Sequence, residues 1–281
     1  MLTQQLINKH LPTRIGQRWR RLKTQTWGRL TAGWRKMPDF LIIGAQKAGT
    51  TSLFHYLAQH PDLAMPIDKE IHYYDVNYQK GINWYKQYFP LRSSASCSGE
   101  ATPYYLFHPF VAKRIAHDMP GVKLIVCLRD PALRAFSHYQ MMKRFGIEWL
   151  TFEEAIEQEP VRYQQGLRAL TIDPLKRSPF HQDFSYLSRG KYARQIRQWL
   201  TYFPREQFLF LSSEELARHP AQALTRVYTF LGIRALLPTD LSHQNKGDAG
   251  SINPELLTRL RAYYQRDRKA TEQLTGLNWT D

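Results

Sequence analysis

The sequence predicts a three-layer α/β fold, with a central, mostly parallel sheet between layers of helices. Three observations predict it. Two apolar runs, Phe40 to Ile43 and Leu124 to Leu128, are continuous rather than alternating, as strands buried on both faces are. Segments of helical periodicity stand between the strands, which implies parallel pairing through crossovers. The first run ends in a loop bracketed by Gly44 and Gly49 that leads straight into a helix.

That stretch, FLIIGAQKAGTTSL from Phe40 to Leu53, is a ready anion site. The first turn of a helix has N–H groups without intrahelical acceptors, the helix dipole adds positive potential, and glycine lets the backbone approach a ligand closely. Lys47 adds a full charge, and Thr50, Thr51 and Ser52 add hydroxyls ahead of the helical segment Leu53 to Leu57. Lys47, Ala48, Gly49, Thr50, Thr51 and Ser52 are therefore the candidate phosphate-binding residues. The nucleoside-triphosphatase loop reads GxxxxGK[ST]. Here the glycine spacing is kept, but Thr50 takes the lysine position and Lys47 lies inside the loop, which argues against an ordinary kinase or ATPase. A tight turn that binds nothing is the plain alternative.

Further elements follow in order. His60-Pro61 ends the first helix, and a short connection leads to KEIHYYD, Lys69 to Asp75. Gly81 to Pro90 predicts a short helix closed by proline, Ser98 to Ala101 a short strand, and His108 to Met119 a helix stopped by Pro120-Gly121. After the strand Val122 to Leu128, Asp130-Pro131 caps a helix running to about Phe145. Gly146 to Ser188 reads as polar and irregular apart from Phe152 to Glu159, and is expected to form surface helices and loops. Tyr192 to Tyr202, Ala221 to Leu231 and Pro254 to Leu274 read as helices, Gln207 to Leu211 as a strand, and His243 to Ser251 as a loop.

Charge divides the chain. It carries 39 Lys and Arg against 24 Asp and Glu; nine of the cations and no acid fall in residues 1–37, leaving 30 − 24 = +6 for the rest. Residues 1–37 thus read as a basic N-terminal extension and 38–281 as one domain. Trp19, Leu22, Leu30, Trp34 and Met37, with Trp27 beside them, recur at roughly helical spacing, while Gly28 and Gly33 weaken a helix. Such a segment is open to three readings: an amphipathic helix on an anionic membrane, a helix docked on the domain through its stripe, or disorder. Cys97 and Cys127 make no disulfide framework, no secretory signal is evident, and no apolar run is long enough to span a bilayer. A reducing, cytoplasmic compartment is expected, with peripheral membrane association as its variant.

A second binding element is LIVCLRDPALRAFSHY, Leu124 to Tyr139. Arg129 ends a buried strand at the carboxyl edge of the sheet, where ligands bind in open α/β folds. Its planar fork suits a phosphate, and Ser137 on the following helix adds a hydroxyl. Taken with the loop, these pieces resemble the 5′-phosphosulfate and 3′-phosphate motifs of sulfotransferases that use 3′-phosphoadenosine 5′-phosphosulfate (PAPS). The chain is more similar to the heparan-sulfate (glycan) type than to the cytosolic small-phenol type. QKAGTTSL, KEIHYYD, GINWYKQYFP, GEATPYY, LRDPALRAFSHY, GKYARQIRQWLTYFP and NKG follow in the same order.

The resemblance covers about Pro38 onward and implies a P-loop-containing fold, PAPS as co-substrate, no metal and no nucleic-acid partner. It implies that Glu70 is the general base, that His72 and Asp75 shape the acceptor site, and that Lys47 stabilises the leaving phosphate. It further implies nucleotide contacts from Tyr192, Lys246 and Gly247; packing of Tyr192 in a helix N-terminus is the even alternative. The acceptor would be a hydroxyl, less readily an amine, of a carbohydrate or related metabolite. Ala101 stands where several glycan 3-O-sulfotransferases have a lysine, so acceptor specificity does not carry over, and Glu100 reads as a structural carboxylate beneath the site. Tyr73, Tyr74, Trp84, Tyr104 and Tyr105 could stack on sugars or equally form core, and Lys143 and Arg144 could favour an anionic polymer. Two other classes stay open on the residues alone: a P-loop kinase, and a basic module binding membrane or nucleic acid through residues 1–37.

Overall fold

The computed structural model describes residues 26–93, 97–242 and 250–279. Five strands form one parallel sheet in the order β2-β3-β1-β4-β5. They are β1 (Phe40–Gly44), β2 (Leu63–Ala64), β3 (Cys97–Ala101), β4 (Lys123–Leu128) and β5 (Phe208–Ser212). Phe40 stands opposite Gly99 on one side and Lys123 on the other, and Leu124 pairs with Phe208. Every residue of β1 is buried, with Phe40, Leu41, Ile42 and Ile43 each 0% exposed. Burial on this scale is worth roughly 2 kcal/mol per large side chain, which is why a continuous apolar run settles at the centre of a sheet. Gly99 is required beside it: a Cβ there would stand 2.4 Å from the Phe40 ring.

The helices are α1 (Thr50–Leu57), α2 (Ile82–Lys86), α3 (Val111–Asp118), α4 (Pro131–Arg144), α5 (Phe152–Ile172), α6 (Pro179–Gln182), α7 (Tyr192–Leu200), α8 (Ser213–Arg218), α9 (Pro220–Leu231) and α10 (Pro254–Thr275). The main core gathers both faces of the sheet, with Trp199 and Tyr228 among its members. A second cluster joins α4, α5 and α10 through Ala135, Phe152, Leu260 and Tyr264. Among the described residues, no helix is long and apolar enough to cross a membrane.

The structure departs from the sequence reading in places with physical causes. The helix expected from His108 begins only at Val111. Pro109 disfavours helical backbone at the residue before it, and the His108 ring nitrogen Nδ1 instead takes the Phe110 N–H at 3.3 Å. Within Gly146 to Ser188 the regular segment expected at Phe152 to Glu159 runs on to Ile172, 21 residues forming α5 behind a Thr151–Glu154 capping box. The buried stripe of α5 contains Glu159 and Gly166 where apolar residues would have marked it. Glu159 accepts the N–H groups of Leu187 and Ser188, and Gly166 lets the His181 backbone approach to where a Cβ would stand only 2.5 Å away. Cys127 is fully buried, and Cys97 and Cys127 are both free thiols. Of the basic stripe, Trp19 and Leu22 lie outside the described residues, and Met37 is partly buried against the core.

Candidate active site

β1 lies between β3 and β4, so the chain leaves the centre of the sheet in both directions. That reversal opens a crevice at the carboxyl edge. A cavity of about 390 Å³ occupies it, lined by the turn after β1, Pro103 after β3, Arg129 after β4, and Ser213 and Glu214 after β5.

The turn after β1 is held by Ala45 N–H to the Cys127 carbonyl at 2.6 Å and Ala48 N–H to the Ala45 carbonyl at 3.2 Å. Gly49 sits in the left-handed region at φ 86° and N-caps α1 without a side chain to occupy its N–H groups. Lys47 takes the same region at φ 71°, a conformation that costs a residue bearing Cβ, and its side chain lines the cavity. Gly49, Thr50, Thr51 and Ser52 line it as well. Ala48 does not line the cavity; its side chain is fully buried in the core.

The cavity is electropositive. Burial lowers the Lys47 pKa, and the charges of Arg144, Arg129, Arg134 and Lys69 lower it further. Of these cations Lys47, Arg129 and Lys69 line the cavity against the carboxylates of Glu70 and Glu214, and the surplus of positive charge favours an anion, whose binding would relieve the cations' mutual repulsion. Arg129 lines the cavity and its guanidinium reaches the Lys47 carbonyl at 3.4 Å. Ser137 lines it two turns into α4, with Leu133 before it and Met141 after, so one face of that helix forms a wall.

Glu70 lines the same cavity. Its carboxylate lies 3.2 Å from His72 Nε2, and His72 Nδ1 lies 2.6 Å from Asp75 Oδ2. His72 is left-handed at φ 54° and starts a π-helical turn at Tyr73–Asn77. Ile71 is buried, and Glu70 and His72 meet. The turn rests on the Tyr105 hydroxyl, which accepts the Tyr73 N–H at 2.9 Å. Beneath it Glu100, 1% exposed, accepts from Tyr85 (2.8 Å) and Thr102 (2.7 Å), a structural carboxylate under the site.

Tyr192 does not line the cavity. It is 1% exposed, and its hydroxyl donates to the Arg129 carbonyl at 3.1 Å, so it braces the arginine from behind. Tyr73, Tyr74, Tyr104 and Tyr105 are likewise buried, with Tyr73 stacked on Tyr85 at 4.5 Å, and Trp84 is covered by Lys80; these rings form core rather than a sugar platform. Lys143 and Arg144 are exposed at the end of α4. Ala101 is fully buried. Lys246 and Gly247 lie outside the described residues.

Three lining residues were not among the candidates the sequence offered. Lys69 lines the cavity and donates to Thr51 Oγ1 at 3.0 Å. Gln46 lines it too and is held by Arg189, a buried guanidinium that also donates to the Gln182 carbonyl and lies over the Tyr104 ring. Glu214, after β5, completes the floor. The strand ends were readable, and the carboxyl-edge rule would have pointed to Glu214; the segment Ser188 to Tyr192 resembles one that approaches the nucleotide, but its local pattern did not single out Arg189 as the partner of Gln46. Among the described residues, no group of three His, Cys, Asp or Glu side chains could hold a metal ion.

The sulfotransferase domain family matches residues 37–247, three quarters of the chain and the whole of this cavity among the described residues. The chain belongs to the sulfotransferase family. Its relatives include human heparan sulfate glucosamine 3-O-sulfotransferase 3A1, 31% identical over 255 residues covering 87% of this chain and 59% of that protein. Human heparan sulfate glucosamine 3-O-sulfotransferase 6 is 32% identical, with 87% of this chain and 73% of that protein covered. The chain thus spans about three fifths of the length of the first of these relatives. A sulfotransferase crystal structure from Alicyclobacillus acidocaldarius superposes with a TM-score of 0.70 at 31% identity, covering 87% of this chain and 98% of that one. The parallel sheet and loop are thereby those of the P-loop-containing sulfotransferase fold, an enzyme fold, and the kinase alternative falls away.

Proposed function

We propose that this sulfotransferase moves the sulfuryl group of PAPS to a hydroxyl, less readily an amine, of a carbohydrate or related metabolite. One observation carries the reading: Lys47, Arg129, Ser137 and Glu70 line a single cavity behind a glycine-capped helix N-terminus. PAPS, when bound, supplies an activated sulfuryl group whose bond to the 5′-phosphate can break. Arg129 and Ser137 suit the 3′-phosphate, and the N–H groups and hydroxyls of Thr50, Thr51 and Ser52 suit the 5′-phosphate. Lys246 and Gly247 are proposed to close over the nucleotide on the resemblance alone.

The acceptor oxygen forms a bond to sulfur as the sulfur–oxygen bond to the phosphate breaks. Glu70 takes the acceptor proton, and Lys47, with Lys69 beside Thr51, neutralises charge gathering on the departing phosphate. The products are the sulfated acceptor and 3′-phosphoadenosine 5′-phosphate. Lys47→Ala abolishes transfer in this account. A carbohydrate acceptor is supported by the names of the heparan sulfate relatives and by exposed Lys143 and Arg144 near the cavity wall.

The test is calorimetric titration with 3′-phosphoadenosine 5′-phosphate, AMP, and ATP with Mg²⁺. Binding that requires the 3′-phosphate is expected. A preference for ATP, or no nucleotide binding, would overturn the reading.

A further inference from the structure

The described part of the basic segment sits on the domain by one face and leaves the other bare. Residues 26–30 are helical, and the winding continues through Thr31, whose N–H reaches the Trp27 carbonyl at 3.0 Å, into a 3-10 turn at Ala32–Trp34. Gly28 and Ala32, four apart, form the inward face. Ala32 is 4% exposed, and a Cβ at Gly28 would stand 2.6 Å from the Gln87 carbonyl oxygen. The end of the segment is pinned: Lys36 N–H donates to the Pro90 carbonyl at 3.1 Å, Arg92 N–H to the Trp34 carbonyl at 2.8 Å, and the Arg35 guanidinium to the Phe89 carbonyl.

Trp27, Leu30 and Trp34 occupy the outward face at helical spacing and are 64%, 75% and 70% exposed. Leu91, bridged to Arg35, extends the patch at 42% exposed. Docking therefore uses the small residues, and the large apolar ones are held toward solvent. Holding such a patch open on an anchored turn is unfavourable in water unless something covers it.

Charge identifies the cover. Arg29 is exposed within the same turn, and residues 1–37 carry nine cations and no acid. A second copy would bring like charge against like. A glycan or nucleic acid would meet the cations but leave Leu30 uncovered. We propose that this face docks on an anionic lipid bilayer, with Trp27 and Trp34 at the headgroup boundary, Leu30 between them, and Arg29 on lipid phosphates. The proposal is independent of which acceptor the enzyme sulfates.

Co-sedimentation of the full chain with phosphatidylcholine vesicles, with and without phosphatidylserine, tests it. The chain should partition onto the phosphatidylserine vesicles and not onto the neutral ones. Replacing Trp27, Leu30 and Trp34 together by Ser should reduce partitioning roughly tenfold or more, with nucleotide binding and thermal midpoint unchanged. The single Leu30→Glu variant, altering one exposed side chain, should also reduce it and serves if the triple variant misfolds. Failure of the parent chain to bind would overturn the proposal. So would a variant that binds as well as the parent, or one that loses only heparin retention or self-association.

Discussion

His72 Nε2 stands 3.2 Å from Glu70 Oε2, and the opposite nitrogen stands 2.6 Å from the fully buried carboxylate of Asp75. Burial alone would lower the pKa of this imidazole, but the hydrogen bonds and charges of Asp75 and Glu70 outweigh it and push His72 up to about 10. An imidazolium has no acceptor lone pair, so His72 aims Glu70 rather than taking the acceptor's proton itself.

His72→Asn should therefore cost roughly 10- to 100-fold in kcat through a misplaced carboxylate, with the KM for PAPS little changed. Steady-state kinetics check the split; an equal rise in KM would contradict a role confined to Glu70.

His72 also has a signature in stability. Its value in the folded protein lies above the ordinary 6.5, so its contribution is complete below pH 6.5 and is lost as pH rises toward about 10. The parent's thermal midpoint should fall across that window more steeply than that of His72→Asn.

Glu100 titrates lower in the range. Burial raises it, hydrogen bonds from Thr102, Tyr85 and Tyr105 and the His72 charge pull it back, and it is held at about 7. Because this exceeds the ordinary 4.5, the favourable term is full below pH 4.5 and disappears on the way to pH 7. Glu100→Gln should flatten the thermal midpoint across that interval, measured by unfolding at a series of pH values.

Arg129 faces the end of the cavity assigned to the 3′-phosphate, braced by the Tyr192 hydroxyl on its carbonyl. Arg129→Ala should weaken 3′-phosphoadenosine 5′-phosphate by roughly 100-fold and leave AMP almost unaffected. Calorimetry on both ligands decides it; parallel losses would place Arg129 elsewhere on the nucleotide.

What the sequence made legible follows from how locally each feature is determined. β1 and β4 announced themselves because strands buried on both faces must be apolar throughout, and the glycine loop because only a few residues can turn there. Only the first two turns of α5 did, since its buried stripe holds Glu159 and Gly166, whose reasons lie in the backbone of Leu187, Ser188 and His181. The tyrosines around KEIHYYD were ambiguous because an aromatic ring suits a core and a sugar equally; the packing of Tyr73 on Tyr85 decides for core. Gln46 and Arg189 are 143 residues apart, a pairing that no local pattern carries.

The measurement closest to the central claim is a comparison of transfer and nucleotide binding in Glu70→Gln. The account predicts that sulfuryl transfer from PAPS falls by roughly 100-fold or more while calorimetric affinity for 3′-phosphoadenosine 5′-phosphate stays within about a factor of three. Loss of nucleotide affinity in step with activity, or transfer that persists, would contradict the assignment of Glu70 as the base.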